Sequence, residues 1–289
     1  MVDVEQQHCY RHADRRAGVT CQRCNRPICP ACMVTASVGF QCPECTKQGA
    51  KQQRVIDFKN STSMYLTWTL IAINTIIFVI DQATSGHGQD FGERFGLNRV
   101  SVANGEWYRI VTSGFMHASW LHLAFNMWAL YACGGVLERL VGRAKFALIY
   151  FVSLIGGSLG VMLLANPFET VQGVRYLVPT VGASGAIFGV FGAFAVLEFS
   201  RGINPMQSGI TLTIVLNLVI TFSIPGISIG GHVGGLAAGL ACGVLLIGLN
   251  ADQARDRSRH FRRYAAMAAG LGAAMFVGCL VAAQALPVA

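Results

Sequence analysis

The residues best suited to chemistry in this sequence are a serine, two histidines and an asparagine that lie in apolar segments. Ser184 stands in Gly-Ala-Ser-Gly, and His232 stands in Gly-His-Val-Gly-Gly. His122 and Asn126 are four residues apart, which places both on one face of a helix. Strongly polar groups are costly in such segments, so each calls for a functional explanation. A hydroxyl and an imidazole are the pair that nucleophilic catalysis uses, and an amide can stabilise developing negative charge.

A second group of reactive side chains lies in residues 9–45. Four pairs, each with two intervening residues, supply eight ligands, which is enough for two closed tetrahedral zinc sites. A redox or disulfide cluster is the alternative, but in a reducing compartment clustered thiols are more often metal ligands. We therefore predict a zinc-binding domain over 1–46 with two structural zinc ions and no cofactor for catalysis. The predicted ligands are Cys9, His12, Cys21, Cys24, Cys29, Cys32, Cys42 and Cys45.

The elements that carry the first group are long apolar blocks. The chain is 53% hydrophobic and 12% charged, whereas soluble domains carry roughly 25% charged residues. A helix needs about 20 mostly apolar residues to cross a bilayer. The sequence thus predicts an all-α polytopic membrane protein with seven spans. These are 64–82, 119–141, 146–165, 183–200, 208–224, 229–249 and 264–286.

The distribution of basic residues predicts the orientation. With a cytoplasmic N-terminus, thirteen Lys and Arg residues fall in inner loops and four in outer loops. We expect a plasma-membrane protein with an external C-terminus, and no signal peptide, because the first apolar block begins at Met64. The basic residues follow the membrane edges, which indicates a lipid partner rather than nucleic acid.

This topology predicts that the polar residues converge. The second, fourth and sixth spans all run from outside to inside, and His122, Ser184 and His232 each fall near the start of one of them. All three should therefore lie at one shallow depth beneath the outer surface. Gly185, Gly189, Gly235 and Gly239 would let the fourth and sixth spans pack closely and bring the serine to the imidazole.

These motifs resemble the rhomboid family of intramembrane serine proteases. The resemblance covers roughly 60–250 and implies a six-span core over 64–250. A predicted linker over 47–63 precedes this core, and a predicted basic loop with a seventh transmembrane helix over 251–289 follows it as an addition outside the resemblance. The motifs that carry it are Gly182-x-Ser184-Gly185, Gly231-His232-x2-Gly235-x3-Gly239, His122-x3-Asn126, Trp107-x-Arg109, His117 and Glu138-Arg139.

The resemblance implies roles for single residues. Ser184 would be the nucleophile and His232 its base, without a third group, because no carboxylate is obviously placed to orient the imidazole. His122 and Asn126 would stabilise the oxyanion, and Phe188 would stack on the His232 ring. The substrates would be single-span transmembrane proteins cleaved near the outer face, with the fifth span as a mobile gate.

Other interpretations remain open at this stage. The cysteine-rich segment resembles a B-box or RING-like finger, which implies interleaved ligand pairs, while sequential pairing is the alternative. A cytoplasmic protein could bind this segment. The membrane core could belong to a catalytically inactive rhomboid-like protein that binds membrane clients. A transporter is disfavoured, because the polar groups cluster at one depth and leave no relay across the membrane.

Overall fold

The computed structural model describes residues 7–35, 39–46, 63–84, 90–206, 208–248 and 257–285. The chain divides into two compact units, Met1–Ser61 and Thr62–Ala289. Nearly all of the predicted linker 47–63 lies outside the described residues, as does the beginning of the predicted basic loop, 251–256.

The N-terminal unit is built from four two-residue strands. Strand β1 (Val19–Thr20) pairs antiparallel with β2 (Pro27–Ile28), and β3 (Val34–Thr35) pairs antiparallel with β4 (Phe40–Gln41). A 3₁₀ turn over Pro30–Cys32 joins the two hairpins. Besides Ile28 and several partly buried apolar side chains, the buried interior of this unit consists of cysteines. So small an apolar interior is typical of a domain that depends on metal for its stability.

The second unit is helical. Its long helices are α1 (Tyr65–Thr84), α5 (Trp120–Ala129), α7 (Arg143–Leu164), α8 (Ser184–Ser200), α9 (Gly209–Ser223), α10 (Ile229–Leu246) and α11 (Arg257–Ala285). Between α1 and α5 lie the short helices α2 (Asp90–Phe95), α3 (Arg99–Ala103) and α4 (Arg109–Thr112). A π-helical segment, Leu130–Gly134, links α5 to α6 (Gly135–Val141).

A helix covers most of each predicted span. The second span, 119–141, is continuous from α5 through the π-helical segment to α6. Helices α1, α7, α10 and residues Phe261–Ala285 of α11 are long and apolar enough to cross a membrane. Helices α8 and α9 are shorter, with 17 and 15 residues. This architecture is the all-α membrane fold with a cysteine-rich head that the sequence predicts.

Close backbone contact between α8 and α10 forms the centre of the helical unit. A Cβ atom on Gly235 would overlap the carbonyl oxygen of Gly185, and one on Gly239 would overlap that of Gly189. Helix α7 joins them, because a Cβ on Gly157 would lie 2.9 Å from the Gly231 carbonyl oxygen. Small residues at these positions are therefore required for the packing.

A β-hairpin between α7 and α8 was not predicted from the sequence. Strand β5 (Phe168–Val171) pairs antiparallel with β6 (Val174–Leu177). The turn residues Gln172 and Gly173 both have positive φ, of 50° and 80°. Positive φ at both central residues is the requirement of a type I′ hairpin turn. The hairpin leads directly into the segment that precedes Ser184.

Candidate active site and metal sites

Ser184 is the first residue of α8 and lies two residues after a glycine in an unusual conformation. Gly182 has a φ of 128°, which favours glycine. A Cβ atom there would lie 2.7 Å from Cε1 of the His122 ring, so glycine is also needed for space. The N–H groups of a helix's first turn have no intrahelical acceptor and can bind negative charge. The backbone N–H of Ser184 is such a donor.

Local capping places both histidines in the first turn or just beyond it. The Ser119 hydroxyl caps α5 by accepting from the His122 N–H at 3.2 Å. The Ser228 hydroxyl caps α10 by accepting from the Gly231 N–H at 3.1 Å. Side-chain caps of this kind fix where a helix begins. Because Ser184 also opens its helix, all three residues lie at helix starts.

The contact between α8 and α10 brings the neighbours of Ser184 and His232 together. Gly185 follows Ser184, and a Cβ on it would lie 3.1 Å from the carbonyl oxygen of Gly231, which precedes His232. One turn after Ser184, the Phe188 ring stacks on the His232 ring with centroids 4.1 Å apart and planes 17° apart. Phe188 therefore holds one face of the imidazole.

The described residues contain no hydrogen bond between Ser184 Oγ and the His232 ring. Instead, His232 Nδ1 forms a hydrogen bond with the hydroxyl of Thr221 on α9, at 2.6 Å. In enzymes without bound substrate, hydrogen bonds between catalytic groups are often long or poorly aligned. Ser184 and His232 are both only partly exposed.

His122 and Asn126 lie on the same side of α5, with His122 against Gly182. The Asn126 amide is buried and donates to the backbone oxygen of His122 at 3.1 Å. The His117 ring is also buried, 5.1 Å from the His122 ring in an edge-on arrangement. Burial and the nearby His122 lower the pKa of His117 to about 3, so His117 is a neutral ring.

The loop between α1 and α5 holds the segment before Ser184 in place. Leu97 and Thr180 exchange two backbone hydrogen bonds, of 2.9 and 2.8 Å. The Gly182 N–H donates to the Ser113 carbonyl oxygen at 3.0 Å. Arg109 is buried and braces this loop from inside by donating to the carbonyl oxygens of Glu93 and Gly96.

Glu138 lies in α6, beyond the π-helical segment that follows α5, and has a structural role. It is fully buried, and its carboxylate accepts from the Leu66 N–H, the Thr67 N–H and the Thr67 hydroxyl at 2.7–3.0 Å. These are donors at the beginning of α1, where a carboxylate also favours the helix dipole. Glu138 thus ties α6 to α1.

The cysteine-rich unit gathers its ligands into two clusters. In each cluster the four candidate ligand atoms lie within 4.8 Å of one another. The His12 Nδ1 atom is 3.5 Å from Cys29 Sγ and 3.3 Å from Cys32 Sγ. Ligands around a tetrahedral zinc ion at ~2.3 Å lie about 3.8 Å apart, so both sets suit zinc. The grouping is the interleaved one: Cys9, His12, Cys29 and Cys32 form one set, and Cys21, Cys24, Cys42 and Cys45 form the other.

The thiols within each cluster differ in how readily they ionise. Burial opposes ionisation of Cys9 and Cys21, but hydrogen bonds from backbone N–H groups outweigh it and lower the pKa of each to about 6. Burial and neighbouring thiols raise the pKa of Cys32 to about 11. Hydrogen bonding to a neighbouring thiol, with burial, raises the pKa of Cys45 to about 12. A divalent cation would stabilise the closely spaced thiolates that resist forming alone.

Comparison with known proteins decides the family. A family model of the rhomboid domain matches residues 104–249, just over half of the chain. The chain belongs to the rhomboid family. The matched region contains all four residues of the candidate active site on α5, α8 and α10.

Individual rhomboid relatives are similar over shorter stretches. The chain is 31% identical over 179 residues to the rhomboid protease GluP of Bacillus subtilis, covering 60% of this chain and 33% of GluP. It is 30% identical over 170 residues to the rhomboid protease AarA of Providencia stuartii, covering 54% of this chain and 60% of AarA. It is also 28% identical over 123 residues to the inactive RHOMBOID-like protein 8 of Arabidopsis thaliana, covering 43% of this chain and 32% of that protein. The alignments thus span a third to three fifths of these relatives.

One contact at the site was not predicted from the sequence. The Thr221 hydroxyl lies against His232, although no third group for the imidazole was predicted. Its signal in the sequence is a threonine near the end of the fifth predicted span. Threonine hydroxyls in helices commonly bond to the carbonyl four residues earlier, so this signal carries little weight.

Proposed function

We propose that this rhomboid is a serine endopeptidase that cleaves single-span transmembrane proteins within the bilayer, near its outer face. The observation that carries the proposal is the meeting of α8 and α10, with Gly185 against Gly231 and Phe188 stacked on His232. This packing supports a Ser184–His232 pair, with the His122 ring beside Gly182. The relatives named as rhomboid proteases support hydrolysis.

The proposed reaction proceeds in two steps. His232 takes the Ser184 proton as Oγ attacks a substrate carbonyl, and the collapse of the tetrahedral intermediate leaves an ester on Ser184 and gives the proton to the departing amine. Water then hydrolyses the ester, with His232 again as base. The backbone N–H of Ser184, His122 and Asn126 would stabilise the oxyanion in both steps.

We also propose an orientation in the membrane and a function for the N-terminal cysteine-rich unit. The excess of basic residues in alternate loops supports a cytoplasmic N-terminus and an external C-terminus in the plasma membrane. The two ligand clusters support one structural zinc ion each. A structural head of this kind would serve to bind a cytoplasmic protein partner.

A serine-directed probe tests the catalytic proposal. The detergent-solubilised chain should be labelled by a fluorophosphonate, and Ser184→Ala should remove both the labelling and the cleavage of a reconstituted model substrate. His232→Ala should reduce labelling strongly, while Ser223→Ala, at the end of α9, serves as the matched control. An unlabelled wild-type chain that still binds membrane proteins would instead indicate an inactive, client-binding rhomboid.

A further inference from the structure

The buried Thr221 hydroxyl contacts two polar groups, a backbone carbonyl oxygen and a histidine ring nitrogen. Its hydroxyl is 2.6 Å from Nδ1 of His232 and 2.7 Å from the carbonyl oxygen of Asn217. The side chain is buried, with 2% of the residue exposed. The 2.7 Å distance between the two oxygens is normal for a hydroxyl hydrogen bond, and the 2.6 Å distance to the ring nitrogen is that of a short one.

Counting hydrogens assigns the direction of both bonds. A hydroxyl has one hydrogen, and a carbonyl oxygen can only accept. With both hydrogen bonds formed, the Thr221 hydrogen points to Asn217 and the Thr221 oxygen accepts from His232. It follows that Nδ1 of His232 carries the proton and that Nε2 of a neutral His232 has the free lone pair.

We propose that Thr221 is a positioning residue that holds His232 in the Nδ1–H tautomer, so that Nε2 can accept the proton of Ser184. This inference rests on the proposed function of His232 as a base. In the Ser-His-Asp arrangement a carboxylate performs the same task, and the wrong tautomer is inactive. Here a neutral oxygen would replace it.

The carboxylates of the apolar helices are engaged elsewhere. Asp81 accepts from the Phe91 N–H at 3.0 Å, and Glu138 accepts from donors at the beginning of α1. Glu198 accepts from the Ser208 hydroxyl. Among the described residues, Thr221 thus provides the hydrogen bond that orients the imidazole, beside the stacked Phe188 ring.

The position of Thr221 also makes the base dependent on α9. Only Ile210 and Thr221 are buried in this helix, every residue of which is described. Ile210 lies in its first turn and Thr221 in its last, so Thr221 is the buried anchor at the end near the site. The accepting oxygen belongs to a residue of α9, and its hydrogen bond to Asn217 fixes it to the same helix, so it moves with α9. Displacement of α9 would release the His232 tautomer.

Two variants and a matched control test the proposal. Thr221→Val keeps the shape but removes the acceptor, and Thr221→Ser restores it. Thr213→Val removes a hydroxyl that bonds to the carbonyl oxygen four residues back in its own helix, at a partly exposed position. We expect Thr221→Val to lower kcat about tenfold with little change in KM, Thr221→Ser to recover most of it, and Thr213→Val to match wild type.

The tautomer itself is read by nitrogen NMR of histidine-labelled protein, with His232→Gln to assign the signal. Wild type should show a protonated Nδ1 and an unprotonated Nε2, and Thr221→Val should shift toward a protonated Nε2. This readout needs no cleavage, so it distinguishes failure of this inference from failure of the proposed protease activity. Wild-type kcat in Thr221→Val, or an unchanged tautomer, would overturn the proposal.

Discussion

At the scale of single residues, Asn126 shows how one side chain can meet two demands. Its amide has two N–H donors, and the side chain bonds to the His122 carbonyl oxygen at 3.1 Å. That bond fixes the amide on the α5 face that it shares with His122. A second donor would remain for an oxyanion that forms at Ser184.

This arrangement makes a prediction for Asn126→Ala. Removing one donor of an oxyanion site typically lowers kcat by about 100- to 1,000-fold, and we expect a loss of that size. Cleavage rates of a purified model substrate measure it, with thermal unfolding in detergent as a check on the fold. The control is Asn104→Ala, at an exposed position in the loop between α1 and α5. Wild-type kcat in Asn126→Ala would exclude the amide from the oxyanion site.

Residue types and spacing allowed prediction of the residues at helix starts, and the family resemblance gave the Phe188–His232 stacking, but neither predicted the Thr221 contact. Ser184, His122 and His232 are conspicuous because polar groups are rare in apolar segments. Thr221 is not, because a threonine in a helix can satisfy its hydroxyl locally. Its contact with His232 depends on how α9 packs beside α10, which is a tertiary property.

At the scale of elements, the N-terminal cysteine-rich unit also shows what the sequence predicts and what it leaves open. One Cys-x2-His pair and three Cys-x2-Cys pairs predict eight ligands, but their spacing leaves open which pairs share an ion. The short hairpins β1–β2 and β3–β4 bring the first pair of ligands to the third and the second to the fourth. An interleaved arrangement ties both hairpins into one unit, so that each metal would stabilise the whole head.

The zinc content of the full chain checks this interpretation. We expect two zinc ions per purified wild-type chain, and at most one in Cys9→Ser or Cys21→Ser, which lie in different clusters. The double variant should hold none. Cys133→Ser, outside both clusters, should keep two. Elemental analysis under reducing conditions gives the count, and full zinc content in the double variant would contradict the assignment.

The other elements were predictable to different degrees. The small-residue spacing predicts the α8–α10 contact, because only glycine allows such close backbones. The β5–β6 hairpin was missed because Gln-Gly is a weaker turn signal than Asn-Gly. The π-helical segment within the second span leaves the apolar pattern unchanged, so composition alone cannot reveal it.

At the scale of the whole molecule, α11 is more than an added span. It lies outside the matched rhomboid domain, yet it packs on α7 and on the loop between α1 and α5. The Phe276 and Trp107 rings pack edge to face, with their centroids 6.4 Å apart. The Gln284 amide donates to the Ala103 carbonyl oxygen at 2.9 Å. The same loop holds Thr180, four residues before Ser184.

This chain of contacts predicts that α11 influences catalysis. Misplacement of reacting groups by about 1 Å can cost 100-fold in rate, so loosening the loop should be measurable. We expect Phe276→Ala combined with Gln284→Ala to lower kcat about tenfold. Val277→Ala removes the adjacent side chain, which is 56% exposed, and should leave cleavage unchanged. If the double variant cleaves as fast as Val277→Ala does, the loop between α1 and α5 holds the segment before Ser184 without help from α11.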